Sequence, residues 1–187
     1  MMVKIPAKLE ERLKKLFFLA RERDQFVKEA VEKALDDVEE HGIQEHSVES
    51  IGGSLHLFCD GGSRGNPGDS AIGLLIKNPD SGEVLKEYCE EIGTATNNEA
   101  EYRALISGLE HAINFQPNHL TCYLDSELVV KQVTGEYKVK MPTLQPLVEE
   151  VLELAAQFND IRFCHIPREK NKEADALVNQ ALDRNTY

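Results

Sequence analysis

The sequence lacks the features that mark membrane-spanning and secreted proteins. No apolar run approaches the roughly 20 residues that cross a bilayer. The first residues, MMVKIPAKLEERLKK, alternate charged with apolar side chains instead of forming a signal-peptide core. The four cysteines, Cys59, Cys89, Cys122 and Cys164, form no CxxC pair, and each lies in an apolar, strand-like stretch. We therefore expect a cytoplasmic globular protein with reduced cysteines in its core.

Positive charge is also scarce, because 21 lysine and arginine residues face 33 aspartate and glutamate residues, for a formal net charge of −12. This balance argues against indiscriminate nucleic-acid binding through a general positive field. It does not exclude a nuclease, since catalytic carboxylates themselves add negative charge that bound cations neutralise locally.

Residues 1–41 predict a small, mainly helical module. Apolar residues at helical spacing form two stripes with a break near residues 21–24. The stripes consist of Leu9, Leu13, Leu16, Phe17 and Ala20, then of Phe26, Val27, Ala30, Val31, Ala34, Leu35 and Val38. A polar, glycine-containing stretch over 42–54 predicts a linker to a second domain at 55–187.

From Leu55 the pattern changes to strands. We predict strands over 55–60, 71–77, 84–92, 119–125 and 161–166, with GGSRGNPGD as the turn after the first. Helices are predicted over about 97–115, from Ser126, over roughly 143–158 and over about 171–184. Three strands in a meander followed by alternating helices and strands indicate an α/β fold with a five-stranded mixed sheet and flanking helices.

Two aspartates are predicted at strand ends, Asp60 after the first strand and Asp125 after the fourth. Strand ends are where open α/β sheets build their sites, so parallel neighbours would bring both carboxylates to one edge. The alternative is that each aspartate starts a turn or caps the next helix.

Two further acids lie on helix faces whose other residues are mainly apolar and are therefore expected to be buried. Glu101 shares its face with Leu105, Gly108, Leu109 and Ala112, where an uncompensated charge is costly to bury. Asp175 lies on the side of Val178 and Leu182, and the alternative there is a boundary side chain that reaches water.

Four such acids need a common partner, and a hard divalent cation is the simplest one. Mg²⁺ prefers oxygen ligands in octahedral geometry, which suits carboxylates without a cysteine or histidine cage. Two ions about 3.5–4 Å apart would clamp the attacking water and the leaving 3′-oxygen of a phosphodiester.

Residues 55–183 resemble ribonuclease H type 1 through four segments, FCDGGSRGNPG, TNNEAEYRAL, LDSELV and HIPREKNKEADALV, in the family's order. The resemblance implies a metal-dependent endonuclease that cuts the RNA strand of RNA–DNA hybrids and leaves a 5′-phosphate and a 3′-hydroxyl. It also implies two Mg²⁺ ions, or Mn²⁺ as the alternative, with the metal-ligand set Asp60, Glu101, Asp125 and Asp175. In that scheme Asp60 bridges the ions, Glu101 and Asp125 complete one shell, and Asp175 contributes to the other.

The resemblance further implies that His165, ten residues before Asp175, moves protons or aids product release beside the site. It implies substrate contacts from the helix start and from the glycine-rich segment, where backbone amides and short polar side chains suit phosphates and the RNA 2′-hydroxyl. We predict these contacts at Gly61, Gly62, Ser63, Asn66, Thr96, Asn97, Asn98 and Asn171. One of the residues Thr96, Asn97 and Asn98 is also expected to cap the helix.

The sequence departs from the family pattern at two places. Glu127 stands where many relatives have glutamine, and the segment 135–146 is short where many bacterial members carry a basic, tryptophan-rich helix. The chain has no tryptophan, and Lys131, Lys138 and Lys140 are the nearest substitute. We therefore expect weak hybrid affinity and a broader substrate range that includes RNA duplex.

The N-terminal segment VKIPAKLEERLKKLFFLARERDQFVKEAVEKAL resembles a ribbon-helix-helix unit. About 40 residues cannot bury two apolar helix faces alone, which favours a homodimer formed through 1–41. The alternative is a helical hairpin packed on the nuclease domain. Two other functions remain open: a non-catalytic nucleic-acid-binding dimer with an inactive ribonuclease-H-like domain, and the related chemistry of a transposase or exonuclease.

Overall fold

The computed structural model describes residues 53–184. The chain divides into two units, Met1–Ser47 and Val48–Tyr187, and every described residue belongs to the second. The predicted helices of 1–41, the ribbon-helix-helix resemblance and almost all of the predicted linker lie outside the described residues. Within the described part of the chain, no helix has the length and apolarity to cross a membrane.

The described domain is built on one five-stranded sheet with the order β3-β2-β1-β4-β5. The strands are β1 (Ser54–Gly65), β2 (Gly68–Lys77), β3 (Val84–Ala95), β4 (His119–Leu124) and β5 (Ile161–His165). Strands β1, β2 and β3 form an antiparallel meander, whereas β4 pairs parallel with β1 and with β5. This arrangement confirms the predicted mixed sheet.

Four α-helices flank the sheet in the described residues: α1 (Asn97–Ile113), α2 (Glu127–Val133), α3 (Gln145–Ala155) and α4 (Lys172–Asp183). Helix α3 is shorter than predicted at both ends, and it begins after Leu144 with Pro146 in its first turn. A short 3-10 helix, Arg168–Lys170, links β5 to α4.

Consecutive glycines on β1 show that α1 and α4 cover opposite faces of the sheet. A Cβ atom on Gly61 would meet the backbone of Ala100 in α1, whereas one on Gly62 would meet Val178 in α4. Successive residues of a strand point to opposite faces. The main core lies on the α1 face and also includes residues of α2 and α3, while a smaller cluster lies under α4.

The cysteines occupy strands, as predicted, and all are free. Cys59 and Cys122 are buried in the main core. Cys89 and Cys164 are only partly buried, which corrects the expectation that all four are core residues.

The first strand is longer than predicted, which corrects the position of Asp60. Strand β1 does not end at Asp60 but continues pairing with β2 as far as Gly65, so the hairpin turn consists of Asn66 and Pro67 alone. The parallel pairing with β4, however, ends at Phe58 and Tyr123. Asp60 therefore lies just beyond the point where β1 loses its neighbour on that side, and this opening provides the space for a site.

Candidate active site

Three of the four predicted acids converge. One carboxylate oxygen each from Asp60, Glu101 and Asp125 lies within 4.8 Å of the others. Asp60 and Asp125 meet because each lies two residues beyond the last parallel pair, Phe58 and Tyr123, so the register of β1 and β4 brings them to one edge. Glu101 reaches the same point from the second turn of α1. Asp60 and Glu101 are each only 7% exposed.

The fourth acid, Asp175, lines the same cavity without belonging to that close group. The cavity has a volume of about 290 Å³ and is also lined by Asp60, Glu101 and Asp125. Asp175 occupies the first turn of α4, and its side chain is 29% exposed. The fold therefore gathers three carboxylates tightly and places the fourth on the wall of the same cavity.

A buried amide holds the two strands of the site together. Asn171, 1% exposed at the start of α4, donates from Nδ2 to the Cys59 carbonyl oxygen and to Asp125 Oδ1, both at 3.0 Å. The amide meets Asp125 and β1 instead of solvent, and the substrate contact of Asn171 stays a prediction. Asn171 thus orients a candidate metal ligand.

Gly61 allows α1 to approach β1 closely enough for Glu101 to reach the cavity. A Cβ atom at Gly61 would lie 2.1 Å from the carbonyl carbon of Ala100 and 2.4 Å from the backbone nitrogen of Glu101. Gly61 is also buried. Gly61 thus serves helix-strand packing, while its substrate contact stays a prediction.

The electrostatics of Asp60 and Glu101 favour a positive partner beside these acids. Burial raises the pKa of Asp60 from 3.8 to about 7, and the negative charges of Asp125 and Asp175 add to the effect. Burial likewise raises the pKa of Glu101 well above its ordinary value, with Asp60 and Asp125 contributing. Glu101 Oε2 is buried and has no hydrogen-bond partner. A hard divalent cation would supply both the missing charge and a partner for this oxygen.

Without divalent ions, Asp60→Asn is expected to raise the free energy of unfolding by up to about 4 kcal/mol near pH 8. The folded-state pKa of Asp60, about 7 against an ordinary 3.8, means that folded protein keeps a proton that unfolded protein loses between these values. Wild-type stability therefore falls as pH rises through this range, and the uncharged asparagine escapes that loss. Urea denaturation in a chelating buffer at several pH values measures the difference.

The exposed Asp80 provides the control for this experiment. Asp80→Asn should not raise the free energy of unfolding near pH 8. Equal stabilities of wild type and Asp60→Asn near pH 8, after a chelator has removed all divalent ions, would contradict the expectation. Adding Mg²⁺ should selectively stabilise the wild type, since an ion that binds only folded protein raises its stability.

The helix start and the hairpin tip lie together, as the predicted substrate contacts require. Thr96 caps α1, as expected, and forms a capping box with Glu99. The Asn66 side-chain oxygen accepts a hydrogen bond from the Asn97 backbone N–H at 3.2 Å. Ser63 donates from its hydroxyl to the Ala95 carbonyl oxygen at 2.9 Å. These bonds fix the β1–β2 hairpin against the start of α1 and orient the polar groups between them.

His165 is the exposed last residue of β5 and lies opposite Leu124 in the parallel pairing with β4. It therefore lies one strand away from Asp125, but it is not among the residues that line the acidic cavity. Glu127 is close enough to His165 for their charges to interact. The predicted proton-handling residue thus lies at the edge of the site.

The lysines predicted to replace the family's basic helix are only partly free to contact nucleic acid. Lys131 donates from Nζ to Glu127 Oε1 at 2.7 Å and lies over the Tyr137 ring, 4.9 Å from its centroid. Its ammonium group is thereby paired with the residue that departs from the family pattern. Lys138 and Lys140 line an apolar groove of about 500 Å³ beside it.

Three residues that the sequence analysis did not single out also line the acidic cavity, Arg64, Arg168 and Asn179. Arg168 Nη2 donates to Asp175 Oδ1 at 2.5 Å, and Asn179 Nδ2 donates to Asp175 Oδ2 at 3.0 Å. The spacing of Asn179, four residues after Asp175 on one helix, was a readable signal for such a contact. For Arg168 the sequence held no comparable signal, since its position depends on the 3-10 helix.

Comparisons with known proteins match the described domain. The family described as Reverse transcriptase-like matches residues 58–181. A Mycobacterium tuberculosis bifunctional protein is 45% identical over 127 residues, which are 68% of this chain but 35% of that protein. The matched part of the chain thus spans about a third of the length of that relative.

Solved structures extend the likeness to the fold. The ribonuclease H1 of the archaeon Halobacterium salinarum is 43% identical, with a TM-score of 0.68 over 71% of this chain and 99% of the other. A ribonuclease H1 called LC11, solved in complex with an RNA/DNA hybrid, is 40% identical, with a TM-score of 0.67 over 71% and 99% of the two chains. This chain belongs to the ribonuclease H family.

Proposed function

We propose that this chain is an endonuclease that uses divalent metal ions to hydrolyse the RNA strand of RNA–DNA hybrids. The observation that carries the proposal is the close group of Asp60, Glu101 and Asp125, in which Glu101 Oε2 is buried without a hydrogen-bond partner. Such a group serves a phosphodiester cut through bound cations and is otherwise costly. The hybrid bound to the LC11 relative supports the choice of substrate.

The donor set fits two Mg²⁺ ions, with Mn²⁺ as the alternative, since every ligand is a carboxylate oxygen. Glu101 and Asp125 would hold one ion, Asp175 the other, and Asp60 would contribute to both. When bound, such a pair provides a nucleophilic water and stabilises the charge that develops on the leaving 3′-oxygen. The expected products are a 5′-phosphate and a 3′-hydroxyl.

The chain's own residues keep this site in order. Asn171 fixes Asp125 relative to β1 through its two hydrogen bonds. Burial of Asp60 and Glu101 keeps these carboxylates away from competing water. His165, exposed at the end of β5, would exchange protons with solvent and substrate beside the site.

Substrate contacts are proposed along the surface where the β1–β2 hairpin meets the start of α1. Asn97 and Asn98 begin the helix, Asn66 and Ser63 lie on the hairpin side, and Gly62 lies on β1 beside the cavity. Amide side chains and helix-start N–H groups suit phosphate oxygens and sugar hydroxyls. Contact with the 2′-hydroxyl is what would distinguish the RNA strand from DNA.

The proposal is tested by incubating the full chain with labelled RNA–DNA hybrid, RNA duplex and DNA duplex side by side, with Mg²⁺ or Mn²⁺. We expect cleavage of the RNA strand of the hybrid, weaker cleavage of RNA duplex and none of DNA duplex. Removal of divalent ions by a chelator should abolish all cleavage, because the carboxylates alone supply no nucleophile. A well-folded chain that binds hybrid without cutting it would favour the non-catalytic binding dimer.

We also propose that the chain forms a homodimer through residues 1–41. The support is the pair of apolar stripes in this short segment, which need an apolar partner surface to be buried. Sedimentation of the full chain at several concentrations measures the association. A chain that remains monomeric at the highest concentration would contradict this proposal and leave the nuclease proposal unaffected.

A further inference from the structure

Asp175 differs from the other three acids because both of its carboxylate oxygens already have donors from the chain. Arg168 Nη2 lies 2.5 Å from Oδ1, and Asn179 Nδ2 lies 3.0 Å from Oδ2. Glu101, by contrast, keeps a buried oxygen without any partner. The cavity wall therefore presents one carboxylate that is held by its neighbours beside a group that is open to a cation.

The two donors are built differently. Asn179 is on the same helix as Asp175, one turn further on, and its Nδ2 also donates to the Asp175 carbonyl oxygen at 2.8 Å. It is uncharged and fixes the orientation of the carboxylate. Arg168 comes from the 3-10 helix before α4, and its side chain is 75% exposed. It brings a full positive charge to the mouth of the cavity, where Asp175 orients it.

Arg168 is the cation of the cavity that faces the acids. The other arginine lining it, Arg64, is paired with Asp183 and also donates to the Leu182 carbonyl oxygen at 3.3 Å. The guanidinium of Arg168 instead interacts electrostatically with Asp60 and Asp125 as well as with its partner Asp175. A divalent ion that approaches Asp175 must therefore compete with a charge that the chain supplies.

We propose that Arg168 and Asn179 are positioning residues with opposite effects on divalent-ion binding at Asp175. Arg168 weakens ion binding, because its charge competes for the carboxylate and repels the ion. Asn179 strengthens ion binding, because it holds the carboxylate in one orientation without adding charge. The pair would thus set the divalent-ion concentration at which an ion binds at Asp175. This inference rests on the proposed metal chemistry of the cavity.

The test is a calorimetric titration of the full chain with Mg²⁺ and with Mn²⁺, without nucleic acid. Arg168→Ala is expected to tighten ion binding roughly two- to fivefold, the range of exposed charge-pair energies. Asn179→Ala is expected to weaken it by a similar factor. Arg168→Lys, which keeps the charge, should stay close to the wild type. A purely structural role would shift Arg168→Ala and Asn179→Ala in the same direction.

One control variant and one mutant background make the result specific. Arg162→Ala removes the same charge from an exposed arginine of β5 that pairs with Asp160, and it should leave ion binding unchanged. In chains that carry Asp175→Asn, the effect of Asn179→Ala should largely disappear, and the effect of Arg168→Ala should shrink to the direct repulsion of the ion, because the shared partner is gone. Persistence of both effects at full size in that background would overturn the inference.

Failure of this inference is distinguishable from failure of the proposed function. A wild-type chain that binds neither ion and cuts no hybrid would remove the proposed function. A wild type that binds ions, together with an Arg168→Ala variant of equal or weaker affinity, would overturn only the role of Arg168. Circular dichroism and urea denaturation of each variant establish that the compared chains are folded.

Discussion

Asp125→Asn is expected to lower the rate of RNA-strand cleavage by at least about 10²–10³-fold, the loss found when one transition-state-stabilising group is removed. Asparagine keeps the shape of aspartate and an oxygen that can accept the 3.0 Å hydrogen bond from Asn171 Nδ2. It removes the negative charge from a group whose oxygens lie within 4.8 Å of one another. The fold should persist while cation binding in the cavity weakens.

Cleavage of a labelled hybrid by wild type and Asp125→Asn, with Mg²⁺ or Mn²⁺, measures this effect. Asp80→Asn is the matched control, because it makes the same chemical change at an exposed residue of the β2–β3 turn. The control should cut at the wild-type rate, and both variants should unfold at similar urea concentrations. Wild-type activity in a folded Asp125→Asn chain would remove Asp125 from the set of metal ligands.

The helical spacing of apolar residues was enough to predict the buried acid of α1. Glu101, Leu105 and Ala112 fall on one face of any helix through this segment, so the sequence alone indicated burial. The structure confirms that all three are buried. The strands could also be predicted, because alternating apolar and polar residues and the turn residues between them are local signals.

Contacts between distant segments were not readable from the sequence. Strand β1 was predicted to end at Asp60, because the glycines that follow it are typical of a turn. Its continuation to Gly65 depends on pairing with β2, which the local residues do not encode. Asn171 likewise reaches Cys59, far away in sequence, and local patterns carry no information about such a bond.

The same distinction explains why the sequence indicated the acids more clearly than the contacts of the residues that support them. An acid on a buried helix face or directly after a strand is a charged residue among apolar neighbours, and the sequence alone shows this mismatch. A buried asparagine that starts a helix or an arginine in a 3-10 helix fits its local context, so the sequence does not indicate the contacts that it makes. Their roles follow only from the positions of Asp125 and Asp175 in the folded chain.

Gly61→Ala is expected to lower the free energy of unfolding by roughly 3 kcal/mol or more, at the upper end of overpacking effects. The new Cβ would lie 2.1 Å from the Ala100 carbonyl carbon and 2.4 Å from the Glu101 backbone nitrogen. Both are backbone atoms, so no side-chain rotation relieves the clash, and α1 must move away from β1. Because Glu101 moves with α1, the group of three acids would open as well.

Urea denaturation of Gly61→Ala and Gly62→Ala compares the free energy of unfolding that is lost when a Cβ atom is added at neighbouring positions on opposite faces of β1. A Cβ at Gly62 would meet only the Val178 Cγ1 atom, at 3.0 Å, and a side chain of α4 can shift. Gly62→Ala should therefore lose much less stability than Gly61→Ala. Equal stabilities of the two variants would mean that α1 tolerates displacement from β1, and Glu101 would then owe its position in the site to something other than the close packing at Gly61.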